Sequence, residues 1–181
     1  METNLCVAGF GGQGVMTLGK FLADATCNST DKKVNFFPSY GAEQRGGTAN
    51  CFVVISDDDI GAPLGDVMDD LIVMNAPSLA KFLRALKPGG NLFINSSIVT
   101  GPIEREDVHV IKAPVTELAL EMGNAKVLNV IMLGVYVGYT QVVPEDVVWS
   151  TIEHKLCKKP ALLPLNRQAF ELGLKLGREQ R

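Results

Sequence analysis

The stretch Val7–Val15, VAGFGGQGV, limits the possible folds of this chain more than any other segment. A short apolar run from Asn4 to Gly9 enters a cluster of glycines. From Gly12 to about Asn28 the period changes, with Val15, Leu18, Leu22 and Ala25 at helical spacing. A buried strand, a glycine turn and a helix in direct succession form the opening unit of an α/β sheet.

The pattern then repeats with variations. Lys33–Phe37 is predicted as a second strand, Pro38–Gly47 as a glycine-rich loop and Thr48–Ser56 as a third strand closed by Asp57-Asp58-Asp59. Leu71–Asn75 reads as a fourth strand. Ala76–Leu86 reads as a helix stopped by Lys87-Pro88-Gly89-Gly90. Asn91–Asn95 and Val108–Lys112 complete the strands. Three helical segments follow: Thr116–Gln141, broken near Gly123-Asn124; Pro144–Cys157, opened by a proline in its first turn; and Pro164 to about Gly177. Strands alternating with helices predict a single α/β domain over residues 1–181, with a Rossmann-like, mostly parallel sheet covered by helices on both faces. In such sheets ligands sit beyond the carboxyl ends of the strands. The loops 9–14 and 38–47 both follow strands and are expected to meet at that end.

Bulk properties narrow the function classes. The 181 residues are 46% hydrophobic and 20% charged, with net charge −3 and no basic cluster, so nucleic acid is not an expected partner. The most apolar segment, Val127–Thr140, is too short to span a bilayer and carries Asn129, so no membrane role is expected. The start of the chain does not read as a cleavable signal peptide. Cys6, Cys27, Cys51 and Cys157 lie far apart, three of them in apolar stretches, as small buried hydrophobes do. A reduced, cytoplasmic protein is the expectation.

The glycines admit two nucleotide readings. Gly9, Gly11 and Gly14 spell G-x-G-x-x-G, but a dinucleotide site also needs a carboxylate at the end of the second strand. That strand ends Phe36-Phe37-Pro38-Ser39-Tyr40; Asp31 precedes it and Glu43 lies beyond it. Gly14-Val15-Met16-Thr17-Leu18-Gly19-Lys20 fits G-x-x-x-x-G-K, yet Phe21 stands where a triphosphate loop needs a hydroxyl, and the segment has helical period. What survives is a helix amino terminus with unpaired amides, suited to an anion such as a phosphate. Gly11, Gly12, Gln13 and Gly14 are therefore candidate cofactor-binding residues. The loop SYGAEQRGGTANC adds Tyr40, Glu43, Arg45, Gly46 and Gly47, with Arg45 a fixed cation whose planar fork suits phosphate or carboxylate.

GFGGQGV after the first strand and SYGAEQRGGTANC opening the third closely resemble the gamma subunit of 2-oxoacid:ferredoxin oxidoreductases. The likeness extends through VMDDLIVMNAPSLAKFLRALKPGGNLFINSS and the helical tail after NVIMLG, and the wording is most similar to the 2-oxoglutarate branch. The resemblance implies a complex that oxidatively decarboxylates a 2-oxoacid to its acyl-CoA and reduces ferredoxin. Its implied partners are alpha, thiamine-binding beta and ferredoxin-like subunits. This chain has no thiamine diphosphate signature and no C-x-x-C, and His109 and His154 are isolated. No catalytic or metal-ligating residue is therefore assigned, and the lone chain is expected to be inactive. Thiamine diphosphate and iron–sulfur clusters are expected on the partner subunits, and no cofactor on this chain alone. The resemblance implies a share of a coenzyme A site in the complex; the same two loops serve equally as a subunit interface. A stand-alone Rossmann-type nucleotide-binding enzyme and a purely structural assembly subunit remain the other readings.

Overall fold

The computed structural model describes residues 1–39, 48–61 and 67–181. Its strands are β1 (Glu2–Phe10), β2 (Lys33–Ser39), β3 (Thr48–Ser56), β4 (Met68–Val73), β5 (Leu86–Asn95) and β6 (His109–Ala113). They form one sheet in the order β2-β3-β1-β4-β5-β6. The pairs β1–β4, β4–β5 and β5–β6 are parallel, whereas β3 runs antiparallel to β1 and β2. The sheet is thus mostly parallel, with one reversed strand. Only residues 40–47 join β2 to β3, too few for the helical crossover that a parallel neighbour needs. Pro38 lies in β2, an edge strand, where a missing N–H is tolerated.

The helices are α1 (Val15–Ser29), α2 (Ala76–Phe82), α3 (Val115–Glu121), α4 (Leu128–Thr140), α5 (Glu145–Lys155) and α6 (Leu163–Glu179). They cover the two faces unequally. The main core fills the space between the sheet and α1 and α3–α6. The other face carries a smaller core under α2 and the segment after β5.

Two expectations shift in the structure. The helix predicted to reach Leu86 ends at Phe82, followed by one 3-10 turn over Leu83–Ala85. Lys87-Pro88-Gly89-Gly90 then stands inside β5 rather than before it. Met68 pairs with Leu86 and Asp70 with Asn91, so the extra residues of β5 bulge outward, with Gly89 at φ 76°. Proline and glycine here mark a bulge, a local feature with the same composition as a turn. The predicted break near Gly123-Asn124 is present. Gly123 has φ 87° and Asn124 caps the next short turn by accepting from Lys126 N at 3.0 Å.

Helix α4 is the centre of the main layer. Every residue from Asn129 to Gly138 is buried. A helix apolar on all sides is enclosed on all sides. On its sheet side Phe93 of β5 meets Tyr136 and Tyr139 edge-on, with ring centroids 5.1 and 5.5 Å apart. On its outer side it crosses α6 through glycines on both helices, Gly134 and Gly138 against Gly173 and Gly177. A Cβ at any of the four would come within 3.0 Å of backbone atoms of the facing helix.

Gly173→Ala should therefore lower stability by about 1–3 kcal/mol, because the clash with the Ile131 carbonyl outweighs the helix propensity of alanine. Gly101→Ala, where a Cβ meets nothing within 4 Å, should leave the melting temperature unchanged. Equal melting temperatures for the two variants would contradict this packing.

Candidate functional site

The candidate site lies where β1 delivers the chain to α1. Gly12 and Gly14 take φ of 91° and 70°, in the left-handed region that favours glycine. Gly9 and Gly14 also have packing reasons. A Cβ on Gly9 would sit 2.7 Å from Gln13 Oε1, and one on Gly14 would sit 2.5 Å from Asn129 Nδ2. Asn129, near the start of α4, donates to the Gly14 carbonyl at 3.3 Å. Gly11 and Gly12 are different: they are exposed, and a Cβ on either would meet nothing within 4 Å. Gly14 caps α1 without a side-chain hydrogen bond. The first-turn amides at Val15, Met16 and Thr17 have no partner inside the helix. They and the helix dipole favour a negative group at this spot.

Gln13 ties the turn down. Its Oε1 accepts from Phe10 N at 2.7 Å, its Nε2 donates to the Met74 carbonyl at 3.1 Å, and its own N–H donates to the Phe10 carbonyl at 3.2 Å. The side chain is thus committed to the protein; what the turn offers outward is backbone at Gly11, Gly12 and the helix start. Met74 is the pivot, since its N–H donates to Ala8 O of β1 at 2.8 Å. The same Met74 carbonyl accepts a longer bond from Asn95 Nδ2, at 3.4 Å, and Asn95 Nδ2 also donates to Thr116 Oγ1 at 2.9 Å. Asn75 Oδ1 caps α2 by accepting from Ser78 N at 2.9 Å. Asn75 Nδ2, Ser78 Oγ and Asn95 Oδ1 are buried without protein partners among the described residues.

The residues that flank the second predicted loop reach the same end of the sheet. Phe10 pairs with Thr48, and Ser39 pairs with Asn50. Thr48 thus adjoins the glycine turn, and Ser39 ends β2 at the same end of the sheet, one strand further out. Tyr40, Glu43, Arg45, Gly46 and Gly47 themselves lie outside the described residues. Sequence reasoning missed Asn75, Asn95 and Asn129. Asn75 had a signal, an N-cap residue one place before Ala76-Pro77. Asn95 had none beyond closing an apolar strand ahead of Ser96-Ser97, and Asn129 none beyond being a single polar residue in an apolar run.

Charge is sorted between the two ends of the sheet. Among the described residues the carboxyl end is lined by neutral amides and hydroxyls, with the exposed Glu117 nearby. Glu2, Asp57, Asp69 and Asp70 gather at the amino end. Asp31 is there as well, in a cleft of about 620 Å³ with Cys27, Lys32 and Asp59. The acid that a dinucleotide ribose needs is therefore at the wrong end. The topology agrees, because the antiparallel β3 separates β2 from β1. Gly19, part of the triphosphate pattern, is a mid-helix residue that lets α1 approach β3. A Cβ there would lie 2.5 Å from Cys51 Sγ. Burial pushes the Cys51 thiol up to about 12, and Cys6 is buried too, while Cys27 and Cys157 are exposed. Among the described residues no His, Cys, Asp or Glu group is arranged to hold a metal ion, and no helix is long and apolar enough to cross a membrane.

Asp70 is a buried acid at the other end of the sheet from the glycine turn. It accepts from Tyr136 Oη and Asn91 Nδ2 at 2.8 Å each, and lines a cleft of about 530 Å³ at the amino end. Burial raises its carboxyl above the ordinary value, against the two hydrogen bonds that lower it, and burial raises the Tyr136 phenol likewise.

Comparison with known proteins gives a consistent picture. Residues 4–176 match the family of pyruvate ferredoxin/flavodoxin oxidoreductases. The ketoisovalerate oxidoreductase subunit VorA of Methanothermobacter thermautotrophicus is 36% identical over 98% of the chain, and the chain spans only 37% of that relative's length. The structure of the keto/oxoacid ferredoxin oxidoreductase gamma subunit from Geobacter sulfurreducens superposes with a TM-score of 0.88 at 26% identity, covering 99% of this chain and 98% of that one. The 2-oxoglutarate:ferredoxin oxidoreductase of Magnetococcus marinus, solved with 2-oxoglutarate, coenzyme A and succinyl-CoA bound, superposes with a TM-score of 0.91 at 26% identity, over 98% of this chain and 31% of that one.

The Asp70 environment predicts a pH dependence. A carboxyl raised in the folded state resists ionisation there, so stability falls as pH rises above the ordinary value of 3.8 and levels off above the folded value. Asp70→Asn removes that slope. The stability difference between variant and wild type, from urea unfolding, should shift in the variant's favour between pH 3.5 and neutrality. A pH-independent difference would refute the assignment.

Proposed function

The chain belongs to the pyruvate ferredoxin/flavodoxin oxidoreductase family, and we propose that it serves as the gamma subunit of a 2-oxoacid:ferredoxin oxidoreductase. In this reading the complex decarboxylates a 2-oxoacid oxidatively, passes the acyl group to coenzyme A and reduces ferredoxin in the cytoplasm. Alpha, thiamine-binding beta and ferredoxin-like subunits carry the thiamine diphosphate and the iron–sulfur clusters. This chain contributes to assembly and part of the coenzyme A site. One observation carries that last step: an uncapped helix start beside the bare glycines Gly11 and Gly12, at a sheet end lined by neutral amides. Such an end accepts the phosphates of coenzyme A, which Arg45 on the adjoining segment would pair. The chain's own part is to bind and orient; the redox and carbanion chemistry is supplied by the partners' cofactors.

The sequence wording favours 2-oxoglutarate as the 2-oxoacid, and the VorA relative makes ketoisovalerate the second choice. A structural reading of the turn has its own support. Phe10 and Ile98 are 39% and 40% exposed at this same end, as interface anchors are before a partner covers them.

Co-expression with the missing subunits should yield viologen reduction that depends on a 2-oxoacid and coenzyme A, while the isolated chain gives none. Activity that persists when this chain is omitted would overturn the assignment. Within the complex, Arg45→Ala should raise the apparent KM for coenzyme A about tenfold with assembly intact, the loss expected for one charged contact, and Gly11→Ala should raise it by setting a methyl group where the phosphate would approach. Dissociation of the complex with normal coenzyme A kinetics in the remainder favours the interface reading.

A further inference from the structure

The hydrogen bonds behind the turn converge on a single atom. The Met74 carbonyl accepts from Gln13 Nε2 on the turn and from Asn95 Nδ2 at the end of β5. Met74 N–H is itself fixed to β1 through Ala8 O. Asn95 has no exposed surface, and its backbone carbonyl accepts from Ile98 N and Val99 N at 3.2 and 3.0 Å. Its position therefore cannot drift with the solvent. Its amide could not be turned over either, because Oδ1 would then face the Met74 oxygen, two acceptors in contact. The present orientation satisfies Met74 and Thr116 and leaves Oδ1 without a protein partner. A buried side chain that gives up one polar atom to keep a donor aimed at a neighbouring strand is held there by that neighbour.

We infer that Gln13 and Asn95 are paired positioning residues for the anion site. Gln13 moors the turn to Met74, and Asn95 holds the Met74 carbonyl in place from the far side. The pair keeps Gly11, Gly12 and the first amides of α1 turned outward. This rests on the phosphate reading of the turn given above, but concerns residues that need not touch the ligand. The relay runs through residues 13, 74, 95 and 116, and so couples β1, β4, β5 and α3 at the edge where the ligand would sit.

Amide hydrogen exchange of residues 10–17 in the co-expressed complex, with and without coenzyme A, tests it. Without coenzyme A, Asn95→Ser should speed exchange of the hydrogen-bonded Phe10 and Gln13 amides in this segment about tenfold, the scale of one hydrogen bond, and Gln13→Leu, which removes both the bond to Met74 and the acceptor of Phe10 N, should speed it further. Exchange in the α4 segment should be unchanged. The double variant should open no further than the more open single one, because both bonds act on one carbonyl. The apparent KM for coenzyme A should rise while kcat holds. Unchanged exchange at 10–17, or additive effects in the double variant, overturns the inference. Gln13 is only half-buried on an exposed turn, and Gln13→Glu keeps the acceptor for Phe10 N while removing the donor to Met74, so exchange at the Gln13 amide in that variant, faster or unchanged, decides the mooring if Asn95→Ser does not fold. If coenzyme A fails to slow exchange of residues 10–17 in the wild type, the phosphate reading falls, and with it the role of the pair at an anion site.

Discussion

The enclosure of α4 is the constraint on which the rest of the structure depends. Ten consecutive residues of this helix, Asn129 to Gly138, are buried between the sheet and α6. The fit is set by glycines on both helices, whose missing side chains let the backbones touch. Thus seated, α4 reaches both ends of the sheet. Asn129 at its start braces Gly14, and Tyr136 in its second half holds Asp70. The glycine turn and the buried acid are far apart, yet both are fixed by one element that tolerates little displacement, because close-packed interiors transmit shifts rather than absorb them.

That rigidity suits a site built mostly from backbone. The turn presents amides rather than functional side chains, and amides recognise an anion only when held at a fixed angle to it. Gln13 bonded at both ends of its amide, Met74 shared by two donors and Gly14 wedged against Asn129 provide that fixity. The sorting of charge adds direction: acids at the amino end, neutral amides at the carboxyl end. A phosphate approaching this end meets a positive helix terminus and no dense cluster of carboxylates among the described residues. This is the physical ground on which the proposed coenzyme A role of this end rests.

Much of the fold was legible because its signals are local. The strand–turn–helix at residues 4–28, the proline-led α5 and the break at Gly123-Asn124 are each encoded within a few residues. The misreadings came where one composition serves two geometries. Lys87-Pro88-Gly89-Gly90 is a bulge inside β5 rather than a stop, and only the pairing of β4 with β5 distinguishes the two. Gly19, however, was set apart from a phosphate loop by Phe21 and the helical period, and the structure supplies its reason, the sulfur of Cys51 across the helix–sheet interface. Cys27, by contrast, sits in an apolar helical stretch but on its exposed side.

By itself the sequence determined the α/β class, the glycine turn at a helix start, the absence of a carboxylate at the end of the second strand, and the two loops whose wording carries the family resemblance. Tertiary structure decided that β3 reverses between β2 and β1, that Gln13 faces inward, and that Asn95 and Asn129 support the turn. The reason is distance along the chain. Gln13 meets Met74 across 61 positions, and Asn129 meets Gly14 across 115. Periodicity and capping report on neighbours a few residues away, whereas a bond over such spans exists only after the sheet order and the helix seating have been settled.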